Sequence, residues 1–345
     1  MDRSLKRWVV DLLARMRGAR ITVVGDLMLD EWLWGRVQRI SPEAPVPVVE
    51  VQSHSYTLGG AGNVASNLAA LGAKVSVIGV VGKDEAGDRV LRLLRRLRAD
   101  VSGVVRVAGR PTTQKTRIVA HNQQVVRADK ESTGALGARV TEQLRRALAS
   151  LDGKTDGVVV SDYGKGSVNA SLISAAREFR HKTIVAGDPK PQNLDAFAGI
   201  DCIAPNASEA QTAAGIPAQT DAGLARAARA LLQRTGCRHV LITRGEHGMT
   251  LFSQSGEPFT APAVARQVYD VSGAGDTVIS TLTLALAAGA PIRKAVTLAT
   301  LAAGVVVEKL GTATASPEEI VRFARHEGVA TPAPFPMQKA RRGRR

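Results

Sequence analysis

An α/β fold, a parallel sheet covered by helices on both faces, is predicted by three features of the 345-residue sequence. Short β-branched runs alternate with helical segments of ten or so residues, the pattern of repeated strand-helix units. Several of these runs, such as Ile21 to Val24, end in Gly and Asp, where a parallel strand hands over to a loop. The apolar content of 44% suffices for one large core.

Taken in order, Met1 to Arg20 reads as an amphipathic opening helix, because charges interrupt its apolar residues at helical spacing. Ile21 to Val24 is the first strand, and it delivers Asp26 to a strand's carboxyl edge. Trp32 to Gln52 carries Pro42, Pro45 and Pro47 among alternating apolar residues, which demotes it to edge strands or an extended flap. A second hairpin-like region runs from Pro111 to Arg127. Strand-helix units follow at Val75 to Val81 with Ala86 to Leu97, and at Gly157 to Ser161 with Val168 to Arg180. Further strands are expected at Thr183 to Gly187 and Val240 to Thr243. Gly275 to Leu310 reads as two buried helices packed on the sheet. Residues 1–330 form one domain in this reading. Residues 331–345, Pro-rich and then basic, are expected to be a disordered tail.

Composition excludes several classes. Cys202 and Cys237 belong to no Cys/His cluster, so neither a disulfide framework nor a structural zinc site is expected, and a reducing cytoplasm fits. The longest uncharged stretch, Thr277 to Ile292, falls short of a bilayer span and reads as a buried helix, so no membrane partner is expected. A net charge of +15 draws polyanions and phosphorylated small molecules alike. Aromatics are only 3% of the chain, which leaves no stacking platform for bases and argues against a specific nucleic-acid partner.

The chemistry is expected where Asp270-Val-Ser-Gly-Ala-Gly-Asp276 opens a long apolar helix. Small residues there let backbone N–H groups converge on an anion, with Asp276 beside it. Phosphoryl transfer needs this pairing of donors and a carboxylate that takes the acceptor's proton. A Gly-rich turn with Asp276 as a helix cap is the alternative. No Walker-type phosphate loop and no dinucleotide fingerprint occurs. Upstream, Gly59-Gly-Ala-Gly-Asn63 opens an amphipathic helix to Leu71, and its glycines, Gly60 among them, let a ligand approach the backbone while Asn63 offers donor and acceptor to a polyol.

The run from Gly59 through Asn63, Gly72 and Gly82, together with Asp270 to Asp276, resembles the two signatures of the PfkB carbohydrate kinases. The resemblance runs from the first strand to about Leu310, with Thr281 and Thr300 as departures. It implies a ribokinase-like three-layer α/β/α sandwich with a small β-sheet lid from segments near 35–51 and 111–127. More narrowly, Val24 to Asp30, Arg39 to Pro47, Asn122 to Gln124 and Val268 to Thr277 resemble the branch acting on D-glycero-β-D-manno-heptose 7-phosphate, in its stand-alone form. That implies ATP and Mg²⁺, a sugar phosphate acceptor, a place in ADP-heptose and lipopolysaccharide biosynthesis, and a homodimer through the lid.

By the same resemblance Asp276 is the general base, and the amides of Gly273, Ala274 and Gly275 form the anion hole. Asn206 and Glu209 match N-x-x-E, which helps hold Mg²⁺, often through water; a helix N-cap fits them as well. Thr243, Gly245 and Gly248 match the nucleotide loop, or else form a plain hairpin turn. Lys190 is a point charge for a phosphate, or a solvated surface lysine. Asp26, Asp30, Asn63, Asn122 and Asp162 are the hydroxyl-binding candidates. Lys115, Arg117 and Arg127 are candidates for the acceptor's own phosphate, or edge-strand charges. Asp270 and Ser272 occupy the segment beside which relatives can bind a monovalent cation, so K⁺ is admitted.

Overall fold

The computed structural model describes residues 3–121, 123–179, 183–265, 267–326 and 333–334. The opening helix α1 (Arg3–Met16) leads into β1 (Arg20–Gly25), whose five buried residues make it an interior strand of the sheet. Two long strands then leave the body, β2 (Leu27–Ile40) and β3 (Pro47–Gly60). The chain returns through α2 (Ala61–Ala70), β4 (Lys74–Gly82), α3 (Glu85–Arg96) and β5 (Asp100–Val107). A second excursion, β6 (Thr113–Ala120) and β7 (Gln123–Lys130), precedes α4 (Ala138–Ala149), β8 (Gly157–Ser161), α5 (Ala170–Arg177) and β9 (Ile184–Asp188). Then come β10 (Cys202–Ile203), α6 (Ala207–Ala214), α7 (Asp221–Thr235), β11 (His239–Thr243), β12 (Met249–Ser253) and β13 (Phe259–Ala261). Helices α8 (Ala274–Ala287), α9 (Ile292–Val307) and α10 (Pro317–His326) close the body, and β14 (Ala333–Pro334) pairs with β13.

The main sheet has the order β14-β13-β12-β11-β10-β9-β8-β1-β4-β5. From β11 to β5 every pairing is parallel, as the alternating strand-helix pattern predicts. The expectation of a purely parallel sheet fails at one edge, where β12, β13 and β14 run antiparallel. There the short β11–β12 connection, Arg244 to Gly248, leaves no room for a crossover helix. Side chains alternate along each strand: Val23, Val77 and Leu241 join one core with α1, α2, α3, α8, α9 and α10, while Val24, Ile78 and Ile242 join a second core with α4 to α7. Three layers result.

Helix α2 differs from the amphipathic expectation. Seven of its ten residues, Asn63 and Asn67 included, are buried, because it is wedged against α8 as well as the sheet. The lid also exceeds its expected bounds. Its four-stranded sheet, ordered β3-β2-β6-β7, begins at Leu27, two residues past the end of β1. No helix among the described residues is long and apolar enough to cross a membrane, and α8 is the buried helix expected there. Cys202 and Cys237 are free and buried. Of the expected tail, Ala333 and Pro334 form β14, and the remainder lies outside the described residues.

Candidate active site

All parallel strands end on one edge of the sheet, and five of those ends supply the site: Asp26 after β1, Asp162 and Tyr163 after β8, Asp188 on β9, Asn206 after β10 and Thr243 on β11. Ligands of open α/β sheets settle at this carboxyl edge. Helix α8 points its N-terminus at the same place, so its unsatisfied N–H groups add a partial positive charge. Gly273 caps that helix with φ 79°, and a Cβ there would lie 2.5 Å from Asn63 Nδ2. Only glycine lets the turn and Asn63 occupy the same space.

Asp276, in the first turn of α8, is 4% exposed. Asn63 Nδ2 donates to its Oδ2 and the Tyr163 hydroxyl donates to its Oδ1, each at 2.8 Å. Burial pushes its carboxyl up to about 6; the two hydrogen bonds and Lys190 pull it down, and the Asp30 charge pushes it further up. This is a carboxylate poised to accept a proton near neutrality. Asn63 is in turn fixed by Asn67, whose Nδ2 donates to the Asn63 carbonyl at 3.0 Å while its Oδ1 accepts from Thr277 Oγ1 at 2.8 Å. Tyr163, Asn67 and Thr277 are missing from the sequence reading. The polar pair Asn63 and Asn67 at helical spacing on an otherwise apolar segment was the available signal.

Opposite Asp276, the lid contributes Asp30, also buried. Its Oδ1 accepts from Arg117 at 2.6 Å, and the Arg117 guanidinium lies 4.9 Å above the Trp32 ring, which stacks on Trp34. The backbone of Gly59 and Gly60 passes so close that a Cβ on Gly59 would sit 2.5 Å from Asp30 Oδ2. Asp30, Asn63 and Asp276 thus lie close together, and Gly60 precedes the helix that carries Asn63.

Other predicted residues have different duties. Both oxygens of Asp26 accept backbone N–H groups, from Tyr163 at 2.8 Å, Lys165 at 3.0 Å and Ser167 at 2.9 Å, so Asp26 shapes the loop that carries Tyr163. Asp162 likewise receives Gly164 N–H, Lys190 N–H and the Asn193 amide. Asp270 receives Ser272 N–H and Gly311 N–H, pinning the loop that leads into α8. The three lid cations are already neutralised: Lys115 and Arg127 share Asp129, at 3.0 and 2.9 Å, and Arg117 holds Asp30. Asn122 lies outside the described residues.

On the nucleotide side, the capping alternative for Asn206 and Glu209 is what forms: Asn206 Oδ1 accepts Glu209 N–H at 2.9 Å and Glu209 Oε2 accepts Asn206 N–H at 3.0 Å. The second Glu209 oxygen pairs with Lys190. Burial works to lower the Lys190 pKa, but the Glu209 ion pair outweighs it and holds the ammonium above its ordinary value. A bridge joins Asn206 to Thr243, which sets the Gly245 to Gly248 hairpin turn beside this pair. Asp188, unassigned in the sequence reading, has a buried Oδ1 without a hydrogen-bond partner. Its carboxyl is pushed well up, by burial first and then by the nearby Glu209 charge. An orphaned carboxylate oxygen beside Glu209 fits a hard divalent cation that arrives with a triphosphate. Among the described residues no group of three or more His, Cys, Asp or Glu could cage a metal unaided. Thr300 spends its hydroxyl on the Val296 carbonyl within α9.

The profile of the pfkB family carbohydrate kinases matches residues 19–319. The chain belongs to the pfkB family. Among curated relatives, the bifunctional protein HldE of Trichlorobacter lovleyi is 46% identical over 325 residues, 93% of this chain and 65% of that protein. The bifunctional protein HldE of Desulfatibacillum aliphaticivorans is 46% identical over 324 residues, 93% and 66% of the two chains. This chain therefore spans slightly under two thirds of the relatives it matches. Among solved structures, phosphofructokinase-2 of Escherichia coli in complex with substrates and products superposes with a TM-score of 0.75 at 20% identity, covering 90% of this chain and 99% of that one. Arabidopsis thaliana ribokinase complexed with ribose and ATP gives 0.70 at 19% identity, covering 89% and 98%. The fold is ribokinase-like, and the pfkB chain is a sugar kinase.

Proposed function

We propose that this pfkB kinase transfers the γ-phosphoryl group of ATP to the anomeric hydroxyl of D-glycero-β-D-manno-heptose 7-phosphate, giving the 1,7-bisphosphate and ADP. The observation that carries the reaction type is Asp276, buried between Asn63 and Tyr163 at the start of α8 and facing Asp30. Asp276 takes the hydroxyl proton, the freed oxygen forms the new bond to phosphorus, and the bond to the β-phosphate oxygen breaks. The N–H groups of Gly273, Ala274 and Gly275 stabilise charge on the transferred oxygens. Asp30 orients sugar hydroxyls, held ready by Arg117. Bound Mg²⁺ supplies charge neutralisation on the triphosphate, and Asp188, Glu209 and Asn206 are the residues that would hold it.

The heptose assignment is supported by the motif resemblance and by the relatives carrying the name HldE at 46% identity. It implies a cytoplasmic step toward ADP-heptose and the lipopolysaccharide core. A homodimer through the lid is supported by Ile40, Val46, Val51, Val125 and Val126, all exposed on lid strands or their turn. One observation favours a second reading. Lys115, Arg117 and Arg127 already pair with carboxylates, so none of these three is free for a distal phosphate, which suits an acceptor such as fructose or ribose. Coupled ADP release with Mg²⁺-ATP across heptose 7-phosphate, fructose 6-phosphate, fructose and ribose decides it. Turnover confined to the heptose phosphate supports the first reading, and preference for an unphosphorylated sugar replaces it with the second.

A further inference from the structure

A cavity of about 240 Å³ lies behind the lid. One wall is α3 of the body and the other is β3 of the lid. Alternation along the strands separates the two faces of that lid: Asp30 and Thr57 pair across one register position and Glu31 and Tyr56 across the next, so Glu31, His54 and Tyr56 point away from the acceptor space. From the body, Arg89, Arg92 and Arg96 reach the same cavity, spaced to share one face of α3.

Charge is unbalanced here. Arg89 pairs with Glu85 at 2.9 Å, and its guanidinium stacks 3.7 Å above the Tyr56 ring. Glu31 Oε2 accepts from Gln114 at 2.7 Å and from Thr116 at 2.8 Å, and its Oε1 lies 3.6 Å from His54 Nδ1. Arg92 and Arg96 are exposed and, among the described residues, have neither an ion pair nor a hydrogen bond. Several other surface cations of this protein find carboxylates, as Arg145 and Arg146 do with Glu142 and Arg106 does with Asp88. Two unpaired guanidiniums lining a concavity, with a third and an imidazole beside them, leave a surplus of donors aimed at one space.

We propose that this cavity binds a phosphoryl group and through it fastens the lid to the body. Guanidinium forks match phosphate oxygens in geometry and charge. The volume is several times the ~30 Å³ share of one water in the liquid, so a hydrated phosphate fits. Because the group sits between Arg92 and Arg96 of the body and His54 of the lid, its binding holds the lid against α3.

The test is titration of the full chain with inorganic phosphate, AMP and glucose 6-phosphate while the nucleotide cleft is filled by a non-hydrolysable ATP analogue. Calorimetry reads binding, and Trp32 and Trp34 fluorescence reads the lid. We expect saturable binding of at least one of the three, weakened tenfold or more in Arg92→Gln/Arg96→Gln, whose kcat without added anion stays within twofold of the parent. The strongest of the three names the phosphate source. No saturable binding, or equal affinity in the double variant, overturns the proposal. Binding is measured without turnover, so the result does not depend on which sugar is the acceptor.

Discussion

The two sides of the acceptor space treat their carboxylates differently. On the body side, Asp276 is buried with two neutral donors, Asn63 and Tyr163, and its pKa rises to about 6. On the lid side, Asp30 is equally buried but has the Arg117 guanidinium at 2.6 Å. A neutral pair of donors orients a carboxylate while leaving it basic enough to accept a proton. A cation holds its carboxylate in one orientation as an acceptor for hydroxyls. In the proposed reaction one group serves proton transfer and the other recognition.

The sharpest way to break this contrast is Asp276→Asn, which removes the base and keeps the shape. Turnover should fall by about 10²–10⁴-fold, with ATP binding retained in calorimetry; undiminished turnover would remove Asp276 from the mechanism. The same variant tests the burial. A carboxyl raised from 3.8 to about 6 contributes stability that is complete below its unfolded value and is lost as pH rises through about 6. Asp276→Asn should therefore melt higher than the parent at pH 8 and show a smaller gain at pH 5. Activity runs the other way, with kcat/KM of the parent climbing through about pH 6 to a plateau.

Gly273→Ala comes next. The left-handed backbone and the 2.5 Å approach to Asn63 Nδ2 must both give way, so kcat should drop about tenfold to a hundredfold, the scale of strain at such a site. Arg117→Met strips Asp30 of its cation and should raise the acceptor KM about tenfold, the scale of one lost charge-assisted contact, while leaving the ATP KM alone. A parallel rise in both constants would mean the lid, and not Asp30, was damaged. The smallest effect is expected from Tyr163→Phe. Losing one donor lets the Asp276 pKa drift further up, so the inflection in kcat/KM should move to higher pH with only a severalfold loss on the plateau.

Much of this was written in local sequence. Ile21 to Val24 and Gly157 to Ser161 are β-branched runs that can hardly be anything but buried strands, and the Gly273 to Asp276 segment announces itself by small residues before an apolar helix. The aspartates were harder. Asp26, Asp30 and Asp162 look alike in sequence, yet only Asp30 faces the acceptor space, because the others are consumed by backbone N–H groups of loops folded from distant segments. Tyr163 and Asp188 were invisible for the same reason: their roles depend on Asp276 and Glu209, far away along the chain. The antiparallel edge follows from the short β11–β12 connection, which the sequence reading did not weigh.

The strand β2 runs unbroken from Leu27, just outside the body, to Ile40 at the lid tip. Thirteen residue steps at ~3.3 Å make it a lever of about 40 Å, with Asp30 only about 10 Å from its root. A tilt of about 10° at the root would swing the tip by about 7 Å and Asp30 by less than 2 Å on the same spacing. Excursions at the rim thus reach Asp30 geared down about fourfold.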